Sequence, residues 1–149
     1  MALGNKPAPL SPLRLLFRAS QRADSLFVRT MGEIELSPRQ YAVLQAVADA
    51  EGLSQTAIMS ATGLDRASTA DLVRRLVAKG WLRRRRTKRD ARLYAVRLTP
   101  EGCKVATAGA RAARAVDAAL MHAVDQGQRA GVLDALWLIA GGTPKASQA

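Results

Sequence analysis

Residues 64–101, LDRASTADLVRRLVAKGWLRRRRTKRDARLYAVRLTPE, predict a helix followed directly by a basic hairpin. Asp65 stands where its carboxylate would cap the helix, because it can accept hydrogen bonds from the N–H groups that the first turn leaves unpaired. An apolar stripe at helical spacing follows, formed by Leu72, Val73, Leu76 and Val77. Gly80 marks the end of the helix, since glycine adopts the left-handed conformation there without a steric cost.

Two short strands are predicted after Gly80. The first begins at Trp81 and Leu82, and the second covers residues 93–98, LYAVRL, where apolar and polar positions alternate. Between the two strands, a single acid, Asp90, stands among seven cations: Arg83, Arg84, Arg85, Arg86, Lys88, Arg89 and Arg92. This density is unfavourable unless a polyanion relieves the repulsion, which indicates a nucleic-acid partner. An ordinary solvated charge run is the plainer alternative.

The net charge of +11 over 149 residues is concentrated in the same region. Residues 53–99 hold twelve basic and three acidic residues, whereas the rest of the chain holds eleven and nine. The basic character therefore belongs to the helix and hairpin, which favours nucleic acid over a generally cationic surface. A membrane-surface protein would instead carry its cations along one face of an amphipathic helix.

The length predicts one domain, 1–149, and helix signals divide it into three parts. Ser/Thr–Pro pairs at 11–12, 37–38 and 99–100 each supply a cap and a proline suited to the first helical position. Terminal helices over 10–32 and 100–141 hold more large apolar residues than the lobe at 36–99 needs to cover itself, and such helices commonly pack against a second copy. Within that lobe Ser54 caps a short helix, which a tight turn joins to the helix after Asp65. This is the pattern of a helix-turn-helix.

The sequence also argues against other classes of protein. One cysteine, Cys103, excludes an intramolecular disulfide and a cysteine-rich zinc site, and no metal or cofactor is indicated. Without a signal-peptide-like start or an apolar stretch of about eighteen residues, we expect a cytoplasmic protein without membrane contact. An enzyme is not expected, because the one nucleophile–base pair, Cys103 and His122, is separated by nineteen residues of one helix, or roughly 28 Å.

Residues 36–102 resemble the MarR family of winged helix-turn-helix transcriptional regulators. The resemblance lies in the stretch LSPRQYAVLQAVADAEGLSQTAIMSATGLDRASTADLVRRLVAKGWLRRRR and in the wing motif RDARLYAVRLTPEG, where Asp90-x-Arg92 precedes Leu98-Thr99-x-x-Gly102. It implies a mainly α fold with a small β-hairpin wing, and a triangular homodimer in which the first and last helices interlock. It further implies binding to pseudo-palindromic double-stranded DNA, and repression that a small anionic or phenolic effector relieves.

The resemblance also implies roles for single residues. Contacts to phosphate fall to the start of the third helix, contacts in the major groove to the fourth helix, and contacts in the minor groove to the wing, which Asp90 orients through a salt bridge. Together with the basic hairpin, the predicted DNA-binding residues are Ser54, Gln55, Arg66, Ser68, Thr69, Arg75, Arg84, Arg86, Lys88, Arg89 and Arg92. The effector-binding candidates, chosen by residue type alone, are Arg14, Arg18, Tyr41 and His122.

Asp71 and Arg74 depart from the family pattern, in which a basic or polar residue comes first and an acid second. An aspartate that faces DNA repels phosphate, although it can accept a hydrogen bond from cytosine N4. Two alternative functions stay open: a basic protein that binds nucleic acid without sequence preference, and a redox-responsive regulator that acts through Cys103. For Cys103 itself, simple packing early in the long helix is the competing interpretation.

Overall fold

The computed structural model describes residues 11–50, 52–88 and 94–143. Within these ranges the chain forms six α-helices, one short 3-10 helix at Gln126–Gln128 and one antiparallel two-stranded sheet. In chain order the elements are α1 (Pro12–Met31), α2 (Pro38–Asp49), α3 (Gln55–Thr62), α4 (Arg66–Ala78), β1 (Leu82–Arg86), β2 (Tyr94–Leu98), α5 (Pro100–His122) and α6 (Arg129–Ile139). The predicted fold class, mainly α with a β-hairpin, is confirmed.

The three Ser/Thr–Pro pairs begin helices as predicted. The Ser11 hydroxyl accepts a hydrogen bond from the Arg14 N–H at 3.4 Å, and the Thr99 hydroxyl accepts one from the Gly102 N–H at 2.9 Å. Ser37 forms a full capping box with Gln40, in which each side chain accepts a hydrogen bond from the other residue's backbone N–H. These caps satisfy N–H groups that the first helical turn cannot satisfy itself.

The hydrophobic core lies between α2, α3, α4 and the sheet. Its most completely buried side chains are Val43, Val47, Leu44, Ile58, Val73, Leu76, Leu82 and Val96. The sheet is joined to the loop before α3 by an isolated bridge in which the Val96 N–H donates to the Leu53 carbonyl at 2.8 Å. The helix-turn-helix and the hairpin therefore share one core, which fixes the orientation of α4 relative to β1.

Helix α5 connects this lobe to the terminal helices, and two glycines allow its close approach. A Cβ at Gly109 would lie 2.5 Å from Cδ2 of Tyr41 on α2, and a Cβ at Gly102 would lie 1.9 Å from the Trp81 carbonyl oxygen. Neither distance is sterically possible.

The terminal helices leave large apolar side chains uncovered in one chain. Helix α6 has no buried residue at all. Its exposed apolar residues are Leu133, Leu136, Trp137, Leu138 and Ile139, and those at the start of α1 include Leu13, Leu15 and Phe17. Among the described residues, no helix is both long and apolar enough to cross a membrane.

Candidate nucleic-acid interface

Helices α3 and α4 form a tight helix-turn-helix whose two ends are capped by side chains. The Ser54 hydroxyl accepts a hydrogen bond from the Ala57 N–H at 3.1 Å and so begins α3. Gly63 ends it with a φ of +72°, a conformation that favours glycine. Asp65 begins α4 by accepting hydrogen bonds from the N–H and the hydroxyl of Ser68, both at 2.8 Å. The predicted caps at Ser54 and Asp65 are confirmed.

The cap lowers the pKa of Asp65 below its ordinary value, chiefly because the Ser68 N–H stabilises the charged carboxylate. The carboxylate also lies at the positive end of the α4 dipole. Asp65 is therefore ionised over the whole neutral range. It holds the first turn of α4 in place, which is the turn that carries Arg66.

Helix α4 has one face in the core and the opposite face in solvent. Thr69, Val73 and Leu76 are buried, and at 100° per residue the opposite side carries Asp71, Arg74 and Arg75. The Arg74 and Arg75 side chains are 70% and 62% exposed. In a helix-turn-helix this outer face of the second helix enters the major groove. The predicted residues Arg66 and Arg75 are both exposed.

The prediction that Thr69 contacts DNA is wrong. Its side chain is only 1% exposed, and its hydroxyl donates a hydrogen bond to the Asp65 carbonyl at 2.8 Å. Thr69 stands four residues before Val73 and seven before Leu76, so it belongs to the apolar stripe by spacing. The sequence spacing therefore indicates burial of Thr69. Ser68 is half-buried, and its hydroxyl donates a hydrogen bond to the Asp65 carboxylate.

Strand β1 presents four consecutive exposed arginines after the buried Leu82. It pairs with β2 so that Leu82 is opposite Leu98 and Arg84 is opposite Val96. Because side chains alternate along a strand, Arg84 and Arg86 share the face of Leu82 and Val96, which is the face that packs toward the core. The remaining two, Arg83 and Arg85, lie on the other face. Arg86 also lies over the Tyr94 ring, with its guanidinium carbon 6.0 Å from the ring centroid.

Three predicted wing residues, Arg89, Asp90 and Arg92, lie outside the described residues. Lys88 is described and is exposed. Gln55, predicted to touch phosphate, is the first residue of α3 and is half-buried. Among the predicted DNA-binding residues that the structure describes, the exposed arginines thus lie on two adjacent elements, α4 and β1.

Sequence reasoning missed an ion-pair cluster on the outer face of α4. The Asp71 carboxylate pairs with both Arg74 and Arg75, the second contact joining Oδ2 to the Arg75 Nε at 2.7 Å. These contacts, led by the hydrogen bond from Arg74, hold the pKa of Asp71 below its usual range. The spacing of three and four residues, which brings side chains together on a helix, was the available signal. Asp71 does not face outward as a lone anion.

A cavity of about 470 Å³ lies between α2, the base of the hairpin and α5. Its polar lining comes from three arginines, Arg83, Arg97 and Arg114, together with Gln45, Thr107 and Cys103. Next to it, the Tyr41 hydroxyl donates to Oε1 of Gln45 at 3.0 Å. Burial raises the pKa of Tyr41, so this hydroxyl stays protonated at neutral pH. The cavity thus combines positive charge with neutral hydrogen-bonding groups.

A single chain does not bring the four effector candidates together. Arg14 and Arg18 line a separate cavity on α1 with Leu13 and Phe17, whereas Tyr41 is half-buried between α2 and α5. His122 is exposed at the last residue of α5. Cys103 is exposed near the start of the same helix, so the helix holds it far from His122. The described residues hold no group of His, Cys, Asp and Glu side chains that would bind a metal ion.

The shared core of α3, α4 and the arginine-bearing hairpin defines a winged helix-turn-helix protein. The family model described as the MarR family matches residues 34–93, and this part of the chain belongs to the MarR family of transcriptional regulators. The transcriptional regulator HosA of Escherichia coli is 36% identical over 83 residues, which cover 56% of this chain and 62% of HosA. The first curated relatives are matched over only 46–62% of their own length.

Two further comparisons cover more of the chain. The HTH-type transcriptional repressor NicR of Pseudomonas putida is 29% identical over 119 residues, covering 80% of this chain and 75% of NicR. The PcaV transcriptional regulator of Streptomyces coelicolor, solved in complex with its natural ligand, has a TM-score of 0.81 and 29% identity, covering 95% of this chain and 98% of PcaV. These relatives are regulators, which confirms the prediction that the chain is not an enzyme.

Proposed function

We propose that this protein is a sequence-specific DNA-binding repressor of transcription, which binds a pseudo-palindromic operator as a homodimer and releases it when a small anionic or phenolic effector binds. The observation that carries the proposal is the exposed cationic surface shared by α4 and β1. It joins Arg66, Arg74 and Arg75 on the helix to the four arginines of the strand. Both elements are fixed by one core, so their charges keep a constant spacing.

This surface matches what duplex DNA offers. Lysine and arginine side chains that neutralise phosphates release condensed counterions, which makes binding strong and dependent on salt. Helix α4 is exposed along its outer face, and the wing arginines would track the adjacent backbone. Exposed small residues on the same side of α4, Ala67 and Ala70, leave room for close approach of the helix to base edges.

Homodimerisation follows from the terminal helices. The apolar side chains of α6 and of the start of α1 are exposed in one chain, and burying them against a second copy is the economical way to remove them from water. In a two-fold symmetric dimer the two α4 helices would be related by the symmetry axis. Two half-sites related by the same symmetry form a pseudo-palindrome.

Repression and an effector are supported by the relatives and by the cavity next to the hairpin. NicR is named a repressor, and PcaV was solved with its natural ligand. In this chain the three cavity arginines would attract a carboxylate or phenolate. Arg83 belongs both to the cavity and to β1. An anion bound in the cavity would therefore form an ion pair with an arginine of the hairpin and shift the position of the hairpin.

The test is binding to operators recovered from the organism's own genome. Purified protein would be incubated with fragmented genomic DNA, and the bound fragments would be sequenced and then measured singly by fluorescence anisotropy at several salt concentrations. With roughly three to five ionic contacts per subunit, a dimer should show a slope of roughly −5 to −9 in log K against log salt. Tight binding to a few sites over bulk DNA is expected. Equal binding to all fragments would favour the non-specific alternative, and a flat salt dependence would contradict DNA binding itself.

A further inference from the structure

We propose that Asp71 is a specificity-determining residue, which joins Arg74 and Arg75 in one unit that recognises a C·G base pair in each operator half-site and disfavours other DNA. The inference rests on the proposed function, since it concerns what α4 does once it enters a groove. Asp71 was the residue whose sign did not fit a DNA-facing helix. In the structure this negative charge pairs with Arg74 and Arg75, and the three side chains together can bind a base pair.

The geometry places one carboxylate beside two guanidinium groups at the centre of the exposed face. Asp71 follows Ala67 by one helical turn and precedes Arg74 and Arg75 by three and four residues, so all four lie on the side opposite Val73. The Asp71 side chain remains 39% exposed although it is paired with both arginines. The carboxylate is therefore held in place by its partners and is still accessible to a ligand.

The cluster still has both hydrogen-bond acceptors and hydrogen-bond donors available for a ligand. A carboxylate has about four lone-pair positions, and the two arginine contacts leave some of them available. Each guanidinium has five N–H donors, and one ion pair with Asp71 leaves donors on Arg74 and Arg75 that point away from the carboxylate. The exposed face thus presents a carboxylate acceptor next to guanidinium donors within one helical turn.

A C·G pair presents the complementary pattern in the major groove. Cytosine N4 is a donor, and the O6 and N7 atoms of its guanine partner are acceptors. An A·T or T·A pair has a donor at adenine N6 but lacks the two adjacent acceptors of guanine that a guanidinium binds, and phosphate offers acceptors only. Opposite phosphate, guanine O6 or thymine O4, the Asp71 carboxylate would face another acceptor, which is repulsive. Because hydrogen bonds from Arg74 keep its pKa low, Asp71 cannot escape this repulsion by taking up a proton at neutral pH.

A purely structural role for the cluster is the competing explanation. Pairs three and four residues apart stabilise helices slightly, and exposed ion pairs of this kind contribute little to folding. A structural role would change stability and leave base preference untouched. The two explanations therefore differ in whether the loss of Asp71 changes the base preference at a single position of the operator.

The experiment compares the wild type with Asp71→Ala, using selection from random duplexes followed by affinity measurements on every single-base variant of the selected site. The wild type should prefer C·G at one position of each half-site by roughly 5- to 150-fold. In Asp71→Ala that preference should fall below about twofold while the other positions keep theirs, and affinity for non-specific DNA should rise. Alanine favours helix at this exposed site, so the variant is expected to fold, which circular dichroism checks.

The matched control is Glu101→Ala, which removes a carboxylate that pairs with Lys104 at 3.7 Å on α5, outside the exposed outer face of α4. It should leave the base preference as in the wild type. If Asp71→Ala changed affinity by one common factor at all sequences, or kept the C·G preference, the inference would be wrong while the proposed function stood. If the wild type bound no DNA site selectively, the proposed function and this inference would both be overturned.

Discussion

Single residues decide how closely the elements of this protein pack. Gly109 lets α5 lie against the ring of Tyr41, and Tyr41 in turn contacts Phe27 of α1 with ring centroids 5.4 Å apart. These contacts join the lobe at 36–99, through α2, to α1 and α5. A side chain at position 109 would separate α5 from α2. The glycine is required by space and not by backbone conformation, since it lies inside a helix.

Gly109→Ala should therefore lower the stability of the protein although alanine favours helix. The added Cβ would stand 2.5 Å from Cδ2 of Tyr41, so the ring or the helix must shift. Overpacking of this kind costs about 1–3 kcal/mol, against a helix-propensity gain of about 1 kcal/mol. Urea unfolding measures the difference. Gly127→Ala is the control, because nothing lies within 4 Å of its added Cβ, and it should not be destabilising. Unchanged stability in Gly109→Ala would contradict the contact.

Asp65 gives the second prediction for a single residue. Since folding lowers its pKa, the cap contributes stability above the ordinary carboxyl pKa and loses it as the pH falls through the lower, folded value. Asp65→Ala should be less stable than the wild type at pH 7. The gap should narrow below about pH 4 and close further down. Thermal unfolding of both proteins from pH 7 to pH 2.5 measures it. A gap that stayed constant with pH would mean that the carboxylate charge is not what caps α4.

At the scale of elements, most of the order of helices and strands could be predicted from local sequence signals. Prolines after Ser or Thr mark the starts of α1, α2 and α5, and Gly63 and Gly80 follow the ends of α3 and α4, each with positive φ. These signals act within a few residues, so the sequence displays them directly. Contacts that depend on tertiary packing were harder. Thr69 was assigned to the wrong face, and the ion pairs of Asp71 and the arginine-lined cavity were not foreseen.

The two faces of β1 should contribute unequally to DNA binding. Arg84 and Arg86 share the face of Leu82 and Val96, on the side of the lobe that packs against α4, whereas Arg83 lines the cavity beside α2 and α5. Replacing Arg84 and Arg86 by alanine should flatten the salt slope by up to about four units per dimer. Replacing Arg83 and Arg85 is the matched control and should flatten it less. Equal effects of the two double variants would contradict this assignment of faces.

At the scale of the whole molecule, the charge and the exposed apolar surface lie on different parts of the chain. The excess positive charge is concentrated in α4 and the hairpin, and the uncovered apolar residues lie at the start of α1 and along α6. The distribution of charged residues along the sequence predicted this division, because residues 53–99 hold most of the excess positive charge. It did not predict an effector site, since such a site depends on where separate elements meet and, in a dimer, on the second chain.

The exposed apolar residues of α1 and α6 predict a dimer that one substitution can disrupt. In analytical ultracentrifugation at micromolar concentration, the protein should sediment with about twice the 15.9 kDa mass of one chain. Leu133→Asp should yield folded monomers, because Leu133 is 55% exposed in one chain and a charge there harms only an interface. Ile34→Asp is the control, since Ile34 is also exposed but lies outside α1 and α6, and it should stay dimeric. Monomeric wild-type protein at these concentrations would remove the basis for a two-fold operator. A dimeric Leu133→Asp would instead mean that α6 is covered in another way.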